Sequence, residues 1–172
     1  MNLSDRMSAF LAMAKDAGCR RLCVAYSGGI DSHVLLVILN TLNQGENAIP
    51  LDAIYINHNL QPDSAQWGQH CRRVCQSLDI CFQQIDVDAS PALGESPEQK
   101  ARSVRYHALA EKLQKGQWLL TAQHSEDQAE TFLLQLLRGS GVNGLSAMPF
   151  RRLLGEGEHY RPLLKSSKHQ IE

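Results

Sequence analysis

The chain is predicted to fold as an α/β domain, a doubly wound and mostly parallel sheet with helices on both faces. Short apolar runs alternate with longer segments of helical periodicity, and the connections between them are short. The 172 residues amount to about one domain, with apolar and charged fractions of 43% and 20%. Ligands of such sheets bind beyond the carboxyl ends of the strands, so the loops that follow the strands are the informative ones.

The first part of the chain is predicted to contain a helix, a strand and a second helix. Residues 3–17 carry apolar side chains at helical spacing, and Gly18 favours a helix end after them. Residues 22–26 form a short apolar run that is typical of a buried strand, and a serine and two glycines end it. Residues 31–42 are mostly apolar and are predicted to form the next helix.

The middle of the chain continues the alternation. Residues 51–56 are predicted as the second strand. Apolar side chains between Trp67 and Leu78 indicate a helix, and residues 80–87 are predicted as the third strand.

A strong helix start follows at Ser96-Pro97-Glu98. The serine is an N-cap, the proline belongs to the first turn, and the acid lies near the positive end of the helix dipole. This helix is expected to continue to about Leu113 and to bury four side chains: Ala101, Val104, Ala108 and Leu109.

The last predicted strand and crossover helix are residues 118–122 and 126–137. Arg138-Gly139 breaks the helix, which is expected to direct four apolar side chains inward: Phe132, Leu133, Leu136 and Leu137. Ser167 and Gln170 have the spacing of a capping box, so another helix is expected to begin there.

Composition limits the environment and the chemistry. No apolar run approaches the roughly 20 residues that cross a bilayer, and the N-terminus lacks the order of a signal peptide. The five cysteines, which form no C-x-x-C pair, are therefore interpreted as thiols of a cytoplasmic protein, and Cys71 and Cys75 as core residues on one helix face.

Charge alone does not indicate a nucleic-acid partner, because the net charge is −1. The segment from Arg138 onward is basic, with six Lys or Arg residues against three Glu. On charge alone we attribute this excess to a solvated surface.

The loop after the first strand carries the clearest chemical signal. Ser27-Gly28-Gly29-Ile30-Asp31-Ser32 joins the strand to a helix, and its two glycines let the backbone approach a ligand closely. Successive N–H groups and the start of a helix form an anion site, to which the hydroxyls of Ser27 and Ser32 can add hydrogen bonds. The loop therefore predicts a phosphate site.

Two other phosphate motifs are absent from the sequence. There is neither the G-x-x-x-x-G-K-[ST] sequence of the ordinary phosphate loop nor the G-x-G-x-x-G sequence of a dinucleotide fold. Asp31 would repel phosphate by itself, and a bound Mg²⁺ would reverse that effect, so Asp31 is a predicted metal ligand.

The S-G-G-x-D-S loop after the first strand resembles that of the PP-loop, or N-type, ATP pyrophosphatases. This resemblance implies an adenine nucleotide alpha hydrolase-like fold that splits ATP between the α and β phosphates. It also implies that the enzyme adenylates a carbonyl-type oxygen and that a nucleophile then displaces AMP.

Further segments resemble one branch of that superfamily, the N-terminal catalytic domain of the tRNA(Ile)-lysidine synthetases. The likeness extends over about residues 21–165, in segments that include Asn57–Leu60, Ala101–Tyr106, Thr121–Thr131, Leu136–Gly141, Gly144-Leu145, Met148 and Arg161–Leu164. It implies an ATP- and Mg²⁺-dependent ligase that adenylates the wobble cytidine of an isoleucine tRNA with a CAU anticodon. Free L-lysine then attacks and forms lysidine. A homodimer of the full-length protein is a further expectation.

The resemblance also assigns site residues. The predicted cofactor-binding residues are Ser27, Gly28, Gly29, Ile30, Asp31, Ser32, His58 and Arg105, and the predicted catalytic residues are Asp31, Arg105, His124, Asp127 and Glu130. Arg105 is preferred to Arg102 because the family places an active-site Arg directly before the Tyr. The last three catalytic residues recur at three-residue steps and would share a helix face that holds Mg²⁺ or the ammonium of an amino acid. Glu126 is attributed to an acidic helix start.

The sequence departs from the family pattern at several positions. Gln123 stands where many members have a His, Glu126 where they have an Asp, and Asn59 and Gln61 where they have Gly and Arg. We expect residues 1–165 to be the catalytic domain and residues 166–172 to begin a helix that is cut off before C-terminal tRNA-binding regions.

Two alternatives remain open. A tRNA sulfurtransferase of the same superfamily would use the same loop, although such enzymes normally need reactive or cluster-binding cysteines. A nucleotide-binding module without catalysis belongs to a different class, and Asp31, Arg105, Asp127 and Glu130 count against it.

Overall fold

The computed structural model describes residues 2–58, 64–91, 94, 96–139 and 146–171, with the side chains of 64 and 65 excepted. In chain order the elements are α1 (Leu3–Asp16), β1 (Arg21–Ala25), α2 (Ile30–Leu42), β2 (Leu51–Asn57), α3 (Ser64–Ser77), β3 (Cys81–Asp86), α4 (Pro97–Lys112), β4 (Gln117–Leu120), α5 (Ser125–Leu137), β5 (Arg151–Leu154), β6 (Gly157–Tyr160) and α6 (Lys168–Ile171). The predicted elements are confirmed, and the ends of the four predicted strands shift by at most two residues.

The strands form one mostly parallel sheet in the order β3-β2-β1-β4-β6-β5, which confirms the predicted fold class. Every neighbouring pair is parallel except β5 and β6, which form an antiparallel hairpin at one edge. The sequence analysis did not predict this hairpin. Its strands are only four residues long and contain charged residues, so they lack the apolar runs by which the other strands were found.

The direction of the connections reverses between β1 and β4. After β1 the chain continues to β2 on one side, and after β4 it continues to the β5–β6 hairpin on the other side. Adjacent strands whose connections diverge in this way leave a crevice at their carboxyl ends, which is where ligands of such sheets bind.

A separate core covers each face of the sheet. The larger core joins side chains of α1, α2, α3 and α6 to the sheet, and the smaller core joins α4 to the opposite face. Cys71 and Cys75 are fully buried in the larger core, as predicted, and burial raises the pKa of each thiol to about 11. Two of the predicted core residues of α4, Ala108 and Leu109, are buried, whereas Ala101 and Val104 are only half-buried.

The prediction for α5 was wrong in one respect. Its four expected inward residues are exposed, with exposed fractions of 41% for Phe132, 55% for Leu133, 52% for Leu136 and 83% for Leu137. Helical spacing identifies an apolar face but not the element that covers it. No residue of α5 belongs to either core among the residues that the structure describes.

The helices of the described segments have one further property in common. None of them is both long enough and apolar enough to span a bilayer.

Candidate functional site

A cleft of about 410 Å³ opens at the carboxyl ends of β1, β2 and β4. It lies beyond the carboxyl ends of the strands, as predicted, and at the point where the direction of the connections reverses. Seven of the predicted site residues line it: Ser27, Gly29, Asp31, Ser32, His58, Arg105 and Asp127.

Internal hydrogen bonds hold the loop between β1 and α2 in place. The hydroxyls of Ser27 and Ser32 lie 3.1 Å apart, and that of Ser32 donates to the carbonyl oxygen of Gly29 at 2.9 Å. Gly29 is the N-cap of α2 and has no side chain to accept from the first-turn N–H groups. Those groups remain available for an anion.

Gly28 lets this loop run close to α3. Its φ of 81° lies in the left-handed region, and a Cβ built on it would be 3.0 Å from the Sγ of Cys71. A larger residue would therefore meet both backbone strain and a buried side chain.

Carboxylates from distant parts of the chain approach His124, whose Nδ1 also lies 3.1 Å from Glu126. His124 Nε2 lies 3.6 Å from an oxygen of Asp31, at the start of α2, and 3.6 Å from an oxygen of Asp127, in the first turn of α5. Asp127 also accepts the backbone N–H of His124 at 2.9 Å, which caps α5. The side chain of His124 is only 8% exposed, so this contact is largely shielded from water.

The acidic residues at this edge suit a hard cation. Oδ1 of Asp31 is buried and has no hydrogen-bond partner among the described atoms. No group of three or more His, Cys, Asp or Glu residues in the described part of the chain has the arrangement of a metal site. Mg²⁺ usually takes only one or two carboxylates and completes its shell with water and substrate phosphates, so Asp31 and Asp127 fit it.

Arg105 supplies positive charge on the other side of the cleft. It lines the cleft and is half-buried, whereas Arg102 is exposed. Burial lowers the pKa of Arg105, but a guanidinium stays charged in proteins. Burial, and secondarily the charge of Arg105, lower the pKa of His58, so the His58 imidazole is neutral at pH 7.

Four predicted site residues do not line the cleft: Gly28, Ile30, His124 and Glu130. Gly28 is the part of the loop that lies against α3, and Ile30 directs a 62% exposed side chain to solvent. His124 is buried beside Asp31 and Asp127, and Glu130 is exposed further along α5. Glu126, attributed to a helix start, has a longer-range contact as well. Its carboxylate accepts the backbone N–H of Lys168 at 3.0 Å, so it joins α5 to α6.

A buried polar network behind the cleft was missed by the sequence analysis. His159 on β6 is fully buried, with Nδ1 3.1 Å from Nε of Arg152 and Nε2 2.7 Å from Oγ1 of Thr121. Thr121 in turn contacts Gln123, which lines the cleft. No spacing in the sequence indicates the contacts of His159, because they depend on the pairing of β6 with β4 and with β5.

The basic C-terminal segment is only partly a solvated surface, contrary to the sequence-based interpretation. Arg161 is 1% exposed and donates to the carbonyl oxygen of Pro149 at 2.6 Å. Arg152 is half-buried and lies over the ring of Tyr106 at 4.6 Å. The segment thus contributes two arginines to the region behind the cleft.

Comparison with known proteins agrees with this geometry. A family model described as PP-loop domain matches residues 2–172. The curated relatives include tRNA(Ile)-lysidine synthases of Pseudomonas syringae pv. tomato, 49% identical over 87% of this chain and 33% of the relative, and of Coxiella burnetii, 49% identical over 87% and 33%. The corresponding protein of Pseudomonas aeruginosa is 46% identical over 99% of this chain and 38% of its own length. The chain thus spans about one third of the length of the curated relatives it matches.

Solved structures with the same fold are more distant in sequence. A U34-tRNA thiolase of Methanococcus maripaludis has a TM-score of 0.76 and 17% identity, and covers 98% of this chain and 60% of its own. An NMN synthetase of Francisella tularensis has a TM-score of 0.62 and 14% identity over 98% and 66%. At these identities the likeness concerns the fold alone.

Proposed function

We propose that this chain, which belongs to the PP-loop domain family, is the ATP-cleaving catalytic domain of an enzyme that forms lysidine on an isoleucine tRNA. The observation that carries the proposal is the approach of Asp31 and Asp127 to His124 at the rim of a cleft lined by the Ser27–Ser32 loop. The similarity to tRNA(Ile)-lysidine synthases supports the choice of substrate.

The loop is proposed to hold the phosphates of ATP. The N–H groups at the start of α2 and the hydroxyls of Ser27 and Ser32 supply hydrogen-bond donors, and Arg105 supplies a fixed positive charge across the cleft. Donors fixed before the reaction stabilise the charge that develops as pyrophosphate leaves.

The reaction has two steps. The oxygen on carbon 2 of the wobble cytidine attacks the α-phosphorus of ATP, and the bond to the β-phosphate oxygen breaks and releases pyrophosphate. The unprotonated side-chain amine of free lysine then attacks carbon 2, and the bond from carbon 2 to the adenylate oxygen breaks and releases AMP. The amine gives up a proton to solvent as the new carbon–nitrogen bond forms.

Mg²⁺ is the proposed metal. Asp31 and Asp127 would hold it, and it would neutralise the phosphate charge. Glu130 lies one helical turn beyond Asp127 and is exposed, so it is proposed to bind the ammonium of lysine before the reaction. The tRNA with a CAU anticodon, lysine and a homodimer of the full-length protein are proposals for the whole protein, of which this chain matches about one third.

The test measures AMP and pyrophosphate release with ATP, Mg²⁺, radiolabelled lysine and an unmodified isoleucine tRNA transcript. We expect AMP release by the full-length protein to require that tRNA, label to appear on the tRNA, and both to disappear in Asp31→Ala. Asp16→Ala, at the exposed end of α1, is the matched control and should keep both activities. AMP release without attached lysine would contradict the substrate assignment, and no AMP release at all would contradict the adenylation step.

The same assay, run with a sulfide donor in place of lysine, tests the sulfurtransferase alternative. The cysteines of α3 are buried with a raised pKa, which opposes formation of a reactive thiolate. Incorporation of sulfur rather than lysine into the tRNA would favour that alternative.

A further inference from the structure

We propose that Gln123 binds the ligand of the cleft through the N–H donors of its side-chain amide, and that Arg152, His159 and Thr121 act as a relay that fixes this orientation. The proposed function supplies the identity of the ligand as ATP. The direction of each hydrogen bond in the relay follows from the chemistry of its donor and acceptor groups.

The relay begins with a group that can only donate. Nε of Arg152 carries a hydrogen and lies 3.1 Å from Nδ1 of His159, so Nδ1 must accept. Burial lowers the pKa of His159 to about 3, and the charges of Arg161 and Arg152 act in the same direction. His159 is therefore neutral, and its one ring hydrogen is on Nε2.

The first hydrogen bond determines which group donates in the next two. Nε2–H of His159 donates to the hydroxyl oxygen of Thr121 at 2.7 Å. The hydroxyl hydrogen of Thr121 is then free to donate onward, and its contact is Oε1 of Gln123. His159 is fully buried and Thr121 is 8% exposed, so water has little access to replace these partners.

The end of the relay fixes the amide of Gln123. Because Oε1 accepts from Thr121, the two N–H donors of Gln123 remain for other partners. If the amide were rotated by 180°, its NH₂ group would face the hydroxyl hydrogen of Thr121. Two donors would then oppose each other. The relay therefore disfavours the rotated amide.

The position of Gln123 indicates what those donors meet. Val24 of β1 pairs with Leu120 of β4, so Ser27 and Gln123 each lie three residues beyond this pair, on neighbouring strand ends. Both residues line the cleft. A triphosphate held by the Ser27–Ser32 loop offers acceptor oxygens, and the Gln123 amide is a donor for one of them.

A measurement of nucleotide binding tests this inference separately from the proposed function. Isothermal titration calorimetry with α,β-methylene-ATP and Mg²⁺ measures affinity without cleavage of the α–β bond. We expect Gln123→Met to bind about tenfold more weakly, which corresponds to one lost hydrogen bond to a charged acceptor. Gln123→His retains a ring N–H donor and should bind within about threefold of the wild type. Gln76→Met on the exposed face of α3 is the control for the same chemical change.

The relay has its own variants and its own spectroscopic test. Thr121→Val should also lower the affinity for α,β-methylene-ATP. Thr121→Ser, which keeps the hydroxyl, should bind the analogue as the wild type does. In the ¹⁵N-labelled chain at pH 7, long-range ¹H–¹⁵N spectra should show the hydrogen of His159 on Nε2. A hydrogen on Nδ1 would overturn the relay even if Thr121→Val failed to fold.

The outcomes are distinct. If the wild type binds the analogue and Gln123→Met binds it equally well, the role of Gln123 is overturned and the proposed function stands. If Gln123→Met is weakened and Thr121→Val is folded but unchanged, the relay is overturned. If the wild type does not bind the analogue at all, the proposed function falls, together with the ligand assigned to Gln123.

Discussion

Nε2 of His124 lies 3.6 Å from Oδ2 of Asp31, although the two residues belong to loops that follow different strands. The contact exists because β1 and β4 are neighbours in the sheet, so their carboxyl ends bring the start of α2 beside the start of α5. The Ser27–Ser32 loop and the first turn of α5 are thus adjacent. Substitutions at the carboxyl end of β1 and at that of β4 should therefore affect the same reaction.

Asp127 has two roles that a pair of substitutions can separate. Asp127→Asn keeps an oxygen that can accept the backbone N–H of His124, but it removes the charge. We expect AMP release by the full-length protein to fall by about 100-fold because the charge arrangement at the reacting phosphates is lost. Asp127→Ala should lose the activity and in addition about 1 kcal/mol of the free energy of unfolding, because the cap of α5 is lost.

Asp16→Asn, at the exposed end of α1, is the control for the change of charge. Equal AMP release by the wild type and Asp127→Asn would contradict the assignment of Asp127 to the site. Urea unfolding of all three variants checks the separate contribution of the cap.

Gly28→Ala should weaken both folding and nucleotide binding. The substitution places a Cβ 3.0 Å from the buried Sγ of Cys71 at a φ of 81°. Gly18→Ala is a matched control, since Gly18 has a φ of 70° but open space around the added Cβ. We expect each variant to lose roughly 1–2 kcal/mol from the backbone conformation, and only Gly28→Ala to bind α,β-methylene-ATP more weakly. Equal affinity in the two variants would show that the close approach to α3 does not shape the loop.

Much of the fold could be predicted because β1, β2 and β4 are mostly apolar runs with clear ends. The position of the Ser27–Ser32 loop between β1 and α2 was predictable for a related reason, since six consecutive residues carry the whole signal. The β5–β6 hairpin could not be predicted, because its strands contain charged residues and have the composition of a loop. These strands are Arg151–Leu154 and Gly157–Tyr160. The contact of His159 with Thr121 could not be predicted without that hairpin, because it joins residues of two strands that are distant in the chain.

The exposure of α5 can be tested by comparing a leucine of α5 with a leucine of the smaller core. Leu133 is 55% exposed and Leu109 of α4 is 1% exposed, although sequence periodicity places both on apolar helix faces. We expect Leu133→Ala to change the free energy of unfolding of this chain by less than about 0.5 kcal/mol. Leu109→Ala should cost about 2–5 kcal/mol, because it leaves a cavity in the smaller core. Urea unfolding followed by the fluorescence of buried Trp118 measures both, and equal losses would contradict the exposure of α5.

His159 should make the stability of the chain depend on pH below 6.5. Its pKa is about 3 in the folded chain and about 6.5 when unfolded, so between these values the unfolded chain binds the proton more readily. The free energy of unfolding therefore falls as the pH decreases, by on the order of 3 kcal/mol between pH 6.5 and pH 4 for this group. In His159→Gln, a neutral residue that can still accept from Arg152 and donate to Thr121, this part of the slope should disappear. The comparison uses slopes from urea unfolding at several pH values, because the carboxylates titrate in both proteins. An unchanged slope in the variant would mean that His159 is not held neutral in the fold.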